Sequence, residues 1–463
     1  MENLSSGKIS AAFQKAMQAG LIRREDSALI FYDLSYLSEK INNLKSCFPS
    51  TTLHGLAIKA CPLAGIMKIS RELGCGVEAA SLGEVKMALH MGFSPGMIVY
   101  DSPVKTPEEL EFALDLGIHL NLDNLAELER VKDKIAKSEK RKAKFSIGIR
   151  INPQIGEGSI AESSVAGVYS KFGVPLRFRR EELVKAFIEN DFLTGMHLHV
   201  GSQGCSLDML AEGTGNLYDL MLEINQLTLS KKGYRQVTTF DIGGGLPVSY
   251  FRNSKPAAME AYVEALKQRA PLLFSEGNSP IPGGPVHDSR FTDHDSRFTD
   301  HDSRFTDHGI RLITEFGRWS YTNAGWTVSR VEYVKHDPGV NTAMIHVGAD
   351  LFIRECLNPR DWLHEYTVLG QDGFIKQGVS ESPWNLAGPL CFSGDILAKG
   401  VSLPQVQEGD HLVIHDTGGY TFAMWSRYNS RFAPRIIGYY NDGEEFVILK
   451  EREGMEDIIR FWT

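Results

Sequence analysis

The chain has 463 residues, 42% hydrophobic and 23% charged, an ordinary globular balance that excludes a fibre or a disordered tail protein. Its 58 acidic against 49 basic side chains leave a net charge of −9, the wrong sign for a whole-chain nucleic-acid binder. No apolar run approaches the ~18 residues of a membrane-crossing helix. The opening MENLSSGKIS lacks a basic region followed by an apolar one, so no leader peptide is expected. Cys47, Cys61, Cys75, Cys205, Cys356 and Cys391 form no CxxC pair. Reduced thiols in a cytoplasmic protein are the expectation, with no metal.

The first elements alternate regularly. ALIFYDL (28–34) reads as a strand, and SYLSEKINNLKSCF (35–48) as a helix with Leu37, Ile41 and Leu44 at helical spacing. LHGLAIKA (53–60) is the next strand and PLAGIMKISRELG (62–74) the next helix, stopped by Gly74. GVEAAS, MIVYD (97–101), IHLNLD, KFSIGIRINP (144–153), MHLHVGS (196–202) and TTFDIGGG (238–245) continue as strands. Such alternation implies parallel strands with crossover helices. Around eight units in roughly 300 residues suggest an α/β chain with a (β/α)8 barrel, an open doubly wound sheet being the alternative.

Residues 287–307 are three tandem copies of HDSRFTD, closed by His308. Each copy offers one apolar residue (Phe291, Phe298 or Phe305), whereas a coiled-coil seam needs two. The repeated His and Asp could suggest a metal site, but a duplicated, polar, exposed loop is the simpler reading. After about residue 325 the runs WTVSRVEYVKH, TAMIHVG, EYTVLG, HLVIHD and EEFVILKE read as a second, all-β domain. The expected division is an N-terminal segment 1–27 that could pack on either domain, a barrel 28–325 with the insert 287–308, and a β domain 326–463.

Six places carry chemistry. Lys59 sits in the apolar LAIKA, where burial would lower its pKa and make it an amine nucleophile. HLHVGSQG places His197 and His199 on one face, with Ser202 in the turn beyond. Gly243, Gly244 and Gly245 of DIGGGLP can bring backbone N–H groups to a phosphate, though the run is not a dinucleotide fingerprint. In ITEFGRWS, Glu315 can bond a protonated pyridine nitrogen and Arg318 a phosphate. Cys391 lies in the turn-rich GPLCFSGDIL, and Tyr420 follows two glycines in HDTGGY.

Taken in order, a lysine in an apolar strand, HxHVGSQ, DIGGG, E-x-GR, C-x-SGD and D-x-G-x-Y resemble the fold-type III pyridoxal-phosphate decarboxylases, the diaminopimelate and ornithine decarboxylase family. FYDL at 31–34, RINP at 150–153 and SKFG at 170–173 agree, so the resemblance spans about residues 28–435. It implies an alanine-racemase-like barrel, a C-terminal β domain, pyridoxal 5′-phosphate as cofactor and a homodimer with shared active sites. By the same resemblance, Lys59 holds the cofactor covalently and His199 stacks on its ring. Ser202 and Gly243–Gly245 line the phosphate, and Glu315 holds the pyridinium proton. Phe316, Gly317 and Arg318 flank the phosphate and substrate, and Tyr420 closes the phosphate site. Cys391 enters from the neighbouring subunit as general acid, and Arg354 grips a substrate carboxylate.

The implied activity is α-decarboxylation of an amino acid, as in meso-diaminopimelate to L-lysine and CO2. An amino-acid racemase and a non-catalytic regulatory homologue are the alternatives. Glutamate at position 315 favours decarboxylation, since an arginine there would weaken the electron sink. The chain departs from the family pattern at Leu56, Glu78, Leu82 and Phe316. On the substrate side, Phe392 stands where a glutamate would contact the distal amine, and Asn358 where a tyrosine is usual. A phenylalanine neither accepts a hydrogen bond nor carries charge. A variant amino acid in a specialised pathway is therefore a serious alternative.

Overall fold

A computed structural model describes residues 3–136, 146–160, 163–254, 257–275, 309–377 and 381–463. The HDSRFTD repeats and their expected exposure lie outside the described residues. The first ten strands are β1 (Ala28–Asp33), β2 (Leu53–Ala57), β3 (Gly76–Ala79), β4 (Ile98–Asp101), β5 (His119–Leu122), β6 (Ile147–Asn152), β7 (Val174–Pro175), β8 (Leu193–His197), β9 (Thr239–Asp241) and β10 (Arg311–Thr314). They are followed by β11 (Gly325–Asp337), β12 (Val340–Ile345), β13 (Tyr366–Leu369), β14 (Ser382–Ala387), β15 (Ile396–Leu403), β16 (His411–Ile414), β17 (Arg435–Tyr440) and β18 (Glu445–Lys450).

Eight of these strands run parallel in the order β5-β4-β3-β2-β10-β9-β8-β6, and β5 pairs with β6 to close the ring. This is the expected (β/α)8 barrel. Its strands are buried on both faces, which is why they read as short continuous apolar runs rather than as alternation. The crossover helices have local start and stop signals. Thr106 accepts from Glu109 N while the Glu109 carboxylate accepts from Thr106 N, a reciprocal cap, and Gly117 ends that helix at φ 72°. Ser206 caps the 26-residue helix Leu207–Lys232, which ends at Gly233.

The second sheet is mixed, in the order β15-β14-β12-β11-β1-β17-β18, with β16 beside β11 and β13 beside β16. Here one expectation fails. The strand at 28–34 was expected to open the barrel, yet β1 lies inside this second sheet, antiparallel to β11 and parallel to β17. An apolar run buried on both faces suits the centre of either sheet, and periodicity does not say which. The N-terminal segment also joins this unit. Phe31 stacks on Trp326 at 4.2 Å, and Phe13 of the helix Ser6–Gln18 meets both rings edge-on. Buried Asp26 pairs with buried Arg435 at 3.0 Å.

The two units are joined at Asp33. It ends β1, and its carboxylate accepts from Tyr36 N to cap the first barrel helix, Leu34–Cys47. No described helix is long and apolar enough to cross a membrane. All six cysteines are free.

Candidate active site

The barrel strands end on a concentration of charge, as strand C-termini do in barrels that carry a site. Lys59 comes first. β2 stops at Ala57 and a single 3-10 turn, Ile58–Ala60, carries the lysine to the mouth, so it lies past the strand rather than within it. Its Nζ donates to Glu78 Oε2 at 2.7 Å, and Glu78 is fully buried at the end of β3. Burial opposes the Lys59 charge, but Glu78, with Tyr420, Glu315 and Asp101 behind it, together more than offset it and hold the ammonium above its ordinary value. The expectation of a burial-lowered lysine is corrected by those neighbours. Burial pushes Glu78 up as well, so the pair as a unit holds its protons tightly.

Five further strands complete the floor. Arg150 of β6 donates to Asp101 Oδ2 of β4 at 3.0 Å, and its guanidinium lies over the Phe172 ring. Burial opposes the Asp101 charge, yet Arg150 and His197 hold that carboxyl well below its usual range. His197 ends β8 fully buried, with Nδ1 3.7 Å from Asp101 Oδ1 and Nε2 3.4 Å from Glu315 Oε2. Burial opposes its charge, but the two carboxylates push it up to about 9. Glu315 follows β10, where its N–H donates to Gly243 O at 2.7 Å. Burial raises Glu315, and His197 reverses that and brings it below the ordinary value. Asp241 of β9 accepts from Asn121 and from Gly243 N, and burial raises it.

Above this floor the expected residues converge. His199 accepts from Gly244 N through Nδ1 at 3.1 Å, and burial lowers it to about 3, so it is a neutral ring. Gly243 at φ 63° and Gly245 at φ 102° have left-handed backbone. A Cβ on Gly243 would fall 2.5 Å from Leu198 O, and one on Gly245 the same distance from Gly201 O. Ser202 Oγ accepts from Arg318 Nε at 3.0 Å, and Arg318 also donates to the Tyr250 hydroxyl. The Arg318 and Arg354 guanidiniums both lie over Trp362 and Tyr420, at 4.6–4.9 Å from the ring centres. Tyr420 N donates to Ala60 O, which ties this layer to the Lys59 turn. The Tyr420 hydroxyl lies 3.3 Å from where a Cβ on Gly317 would stand.

The arrangement fits pyridoxal phosphate. Lys59 is a primary amine at the mouth, and Glu315 Oε1 is a buried carboxylate oxygen with no hydrogen-bond partner. The glycine run, Ser202 and Arg318 offer close backbone and a cation for a phosphate.

Four expected residues behave differently. Phe316 is not a cofactor contact through its side chain, which packs among Phe48, Tyr262 and Trp319. Asn358 turns to Asp361. Cys391 and Phe392 are exposed on a loop of the second unit, where Cys391 N donates to Asn429 and Phe392 meets the Tyr428 ring.

A family model described as "Pyridoxal-dependent decarboxylase, pyridoxal binding domain" matches residues 34–281, more than half of the chain. The chain belongs to this family. It is a pyridoxal-phosphate-dependent carboxy-lyase, with the cofactor and fold that the site geometry fits. The diaminopimelate decarboxylase of Zymomonas mobilis is 26% identical to it over 93% of this chain and 91% of that protein. That of Campylobacter jejuni is 28% identical over 92% and 94%. The crystal structure of diaminopimelate decarboxylase from Helicobacter pylori complexed with L-lysine superposes with a TM-score of 0.77 at 25% identity, covering 96% of this chain and 99% of that one.

Sequence reasoning missed Glu78, Asp101, Arg150, Tyr250 and Trp362 as site residues, and noted His197 without a role. Glu78, Asp101, Arg150 and His197 lie at or near the C-terminal ends of barrel strands, the positional signal that could have found them. Trp362 and Tyr250 lie in irregular stretches that carry no such signal.

Proposed function

We propose that this decarboxylase acts on a diaminopimelate-like amino acid, with meso-diaminopimelate to L-lysine and CO2 as the leading reaction. The observation that carries the reading is the pair Arg318 and Arg354. Both guanidiniums stack on Trp362 and Tyr420, and their hydrogen bonds go to Ser202, Tyr250, Tyr420 O and Met424 rather than to a carboxylate, among the described residues. Two such cations suit a phosphate on one side and a distal substrate carboxylate on the other.

When bound, pyridoxal phosphate supplies the electron sink for the pair left behind as the α-carboxylate departs. Lys59 supplies the amine that ties it to the chain. Glu315, ionised, accepts from the pyridine N–H and keeps that proton in place. Neutral His199 is assigned to the ring face, with Ser202, Gly243, Gly244, Gly245, Gly317 and Tyr420 around the phosphate. Cys391 is assigned the proton that returns to Cα. Its exposure on the second unit supports a homodimer in which Cys391 and Phe392 reach the partner's barrel. The free cysteines suit a reducing cytoplasm. Residues from 34, where the family match begins, through about 325 form the cofactor unit in this reading.

A second reading concerns only the substrate. Phe392 meets Tyr428 edge-on at 6.2 Å and offers an apolar surface where a distal ammonium would be expected to bind. That favours an amino acid whose far end carries a carboxylate but no amine. CO2 release with added cofactor decides between the two, across meso-diaminopimelate, both enantiomers of lysine and ornithine, arginine, glutamate and 2-aminopimelate. Release from meso-diaminopimelate supports the first reading. Release from 2-aminopimelate alone replaces it with the second, and release from neither sinks both.

A further inference from the structure

Among the described residues, two buried carboxylates of the barrel floor lack a lysine or arginine partner, Asp241 and Glu315; Asp241 instead accepts from Asn121 and Gly243 N, and burial raises it. Lys59 faces Glu78, and Arg150 faces Asp101 Oδ2. Glu315 has no lysine or arginine in ion-pair range among the described residues; His197, at 3.4 Å, is its one basic partner within that range, with Lys59 acting from beyond it. His197 is wholly enclosed, and neither ring nitrogen has a hydrogen-bond partner. It lies between two carboxylates, and Asp101 already has Arg150 at 3.0 Å. The unmet demand for positive charge therefore comes from Glu315.

We propose that His197 stands as an imidazolium in the barrel floor and is the positioning residue that keeps Glu315 ionised, in the form that accepts from the pyridine N–H. This rests on the assignment of Glu315 to the cofactor ring. A neutral imidazole would leave a buried carboxylate without a counter-charge, a costly state that is relieved by protonating it. A protonated Glu315 would be a donor facing another donor, and the ring nitrogen would lose its proton. The groups facing His197 agree. Asp101 on β4, Asp241 on β9 and Glu315 after β10 favour its charge. The cations Arg150, opposite it on β6, and Lys59 are each paired with a carboxylate of their own, and His119 and His199 are both held neutral, chiefly by burial.

The test has two arms. In the first, protein carrying 15N-histidine is examined by NMR at pH 8, where an ordinary histidine is neutral. One imidazolium is expected, in the wild-type protein with or without cofactor. Finding none overturns the proposal, as does a stoichiometric divalent metal in the purified protein, since Asp101, His197 and Glu315 converge closely enough to share one. This arm needs no variant and survives a folding failure.

In the second arm, wild type, His197→Gln and Glu315→Gln are reconstituted with cofactor labelled at the ring nitrogen. The nitrogen shift is followed from pH 6 to pH 9. In the wild type it should stay at the protonated position. In His197→Gln it should move toward the unprotonated one, with kcat down at least about tenfold and KM within a few-fold. If Glu315→Gln moves the shift and His197→Gln does not, the role of His197 is overturned. If Glu315→Gln leaves the shift in place, the assignment of Glu315 to the ring fails instead.

Discussion

Lys59 Nζ and Glu78 Oε2 stand 2.7 Å apart, and the carboxylate is closed to solvent while the lysine reaches the mouth. The partner therefore sets the proton affinity of the amine from behind. Glu78→Gln removes the nearest counter-charge, so burial weighs more heavily against the remaining carboxylates and the lysine falls. Covalent capture of pyridoxal phosphate by the apoprotein at pH 7 should then be faster, by about tenfold or more. A rate no higher than wild type would show that Glu78 does not hold that proton.

Arg354 stacks on two aromatic rings and is half-buried among them. Arg354→Lys keeps the charge but loses the planar fork and the stacking. KM for the carboxylate-bearing substrate should rise roughly 10- to 100-fold, with kcat changed far less. Equal losses in kcat and kcat/KM would place Arg354 at the reacting carboxylate instead.

Cys391 and Phe392 are exposed, whereas Lys59 lies at the barrel mouth. If the loop completes the neighbouring subunit's site, mixing Lys59→Ala with Cys391→Ala protein should restore activity that neither has alone. No recovery after subunit exchange, checked by mass photometry, would put both residues in one chain's site.

Several buried histidines are held neutral. Burial lowers His54 to about 4 and His119 to about 3. With the folded values depressed below the unfolded one, the unfolded chain binds more protons in acid. The associated stability is present above about pH 6.5 and is lost as pH falls toward 4. Thermal unfolding across that window should show the loss. His54→Gln, which can still bond Thr314, should flatten the slope.

Asp26 and Arg435 form a buried pair that ties the N-terminal segment to β17. Asp26→Ala leaves the guanidinium with the exposed Glu451 carboxylate as its one counter-charge and the Leu21 carbonyl as a neutral acceptor, among the described residues. A loss of about 3 kcal/mol is expected in urea unfolding, and a change well under 1 kcal/mol would show the pair to be dispensable.

The repeated strand–helix units made the barrel legible, because each crossover helix carries its own start and stop. The upper layer of the site was legible for a related reason: Lys59, His199, Gly243–Gly245, Glu315 and Arg318 stand in short, ordered motifs. The floor was not. Asp101, His197 and Glu315 are separated by roughly a hundred residues each and become neighbours only when the barrel closes. Lys59 was misjudged because its proton affinity depends on Glu78, one strand away. β1 was misplaced because its apolar run suits either sheet. Phe316 sits inside a motif but turns its ring into the core, which the motif does not encode.

The mixed sheet seats β1 between β11 and β17, with Leu29 beside Arg435. Its centre thus joins the first strand made to one of the last. During synthesis the barrel strands are complete once β10 has emerged, while β1 still waits for β11 (Gly325–Asp337) and, more than a hundred residues after β10, for β17 (Arg435–Tyr440). Such long-range closure is slow and leaves an apolar strand open in the interval. Nascent chains stalled shortly after residue 320 should therefore expose β1 to chaperones and proteases, and release of the full chain should bury it.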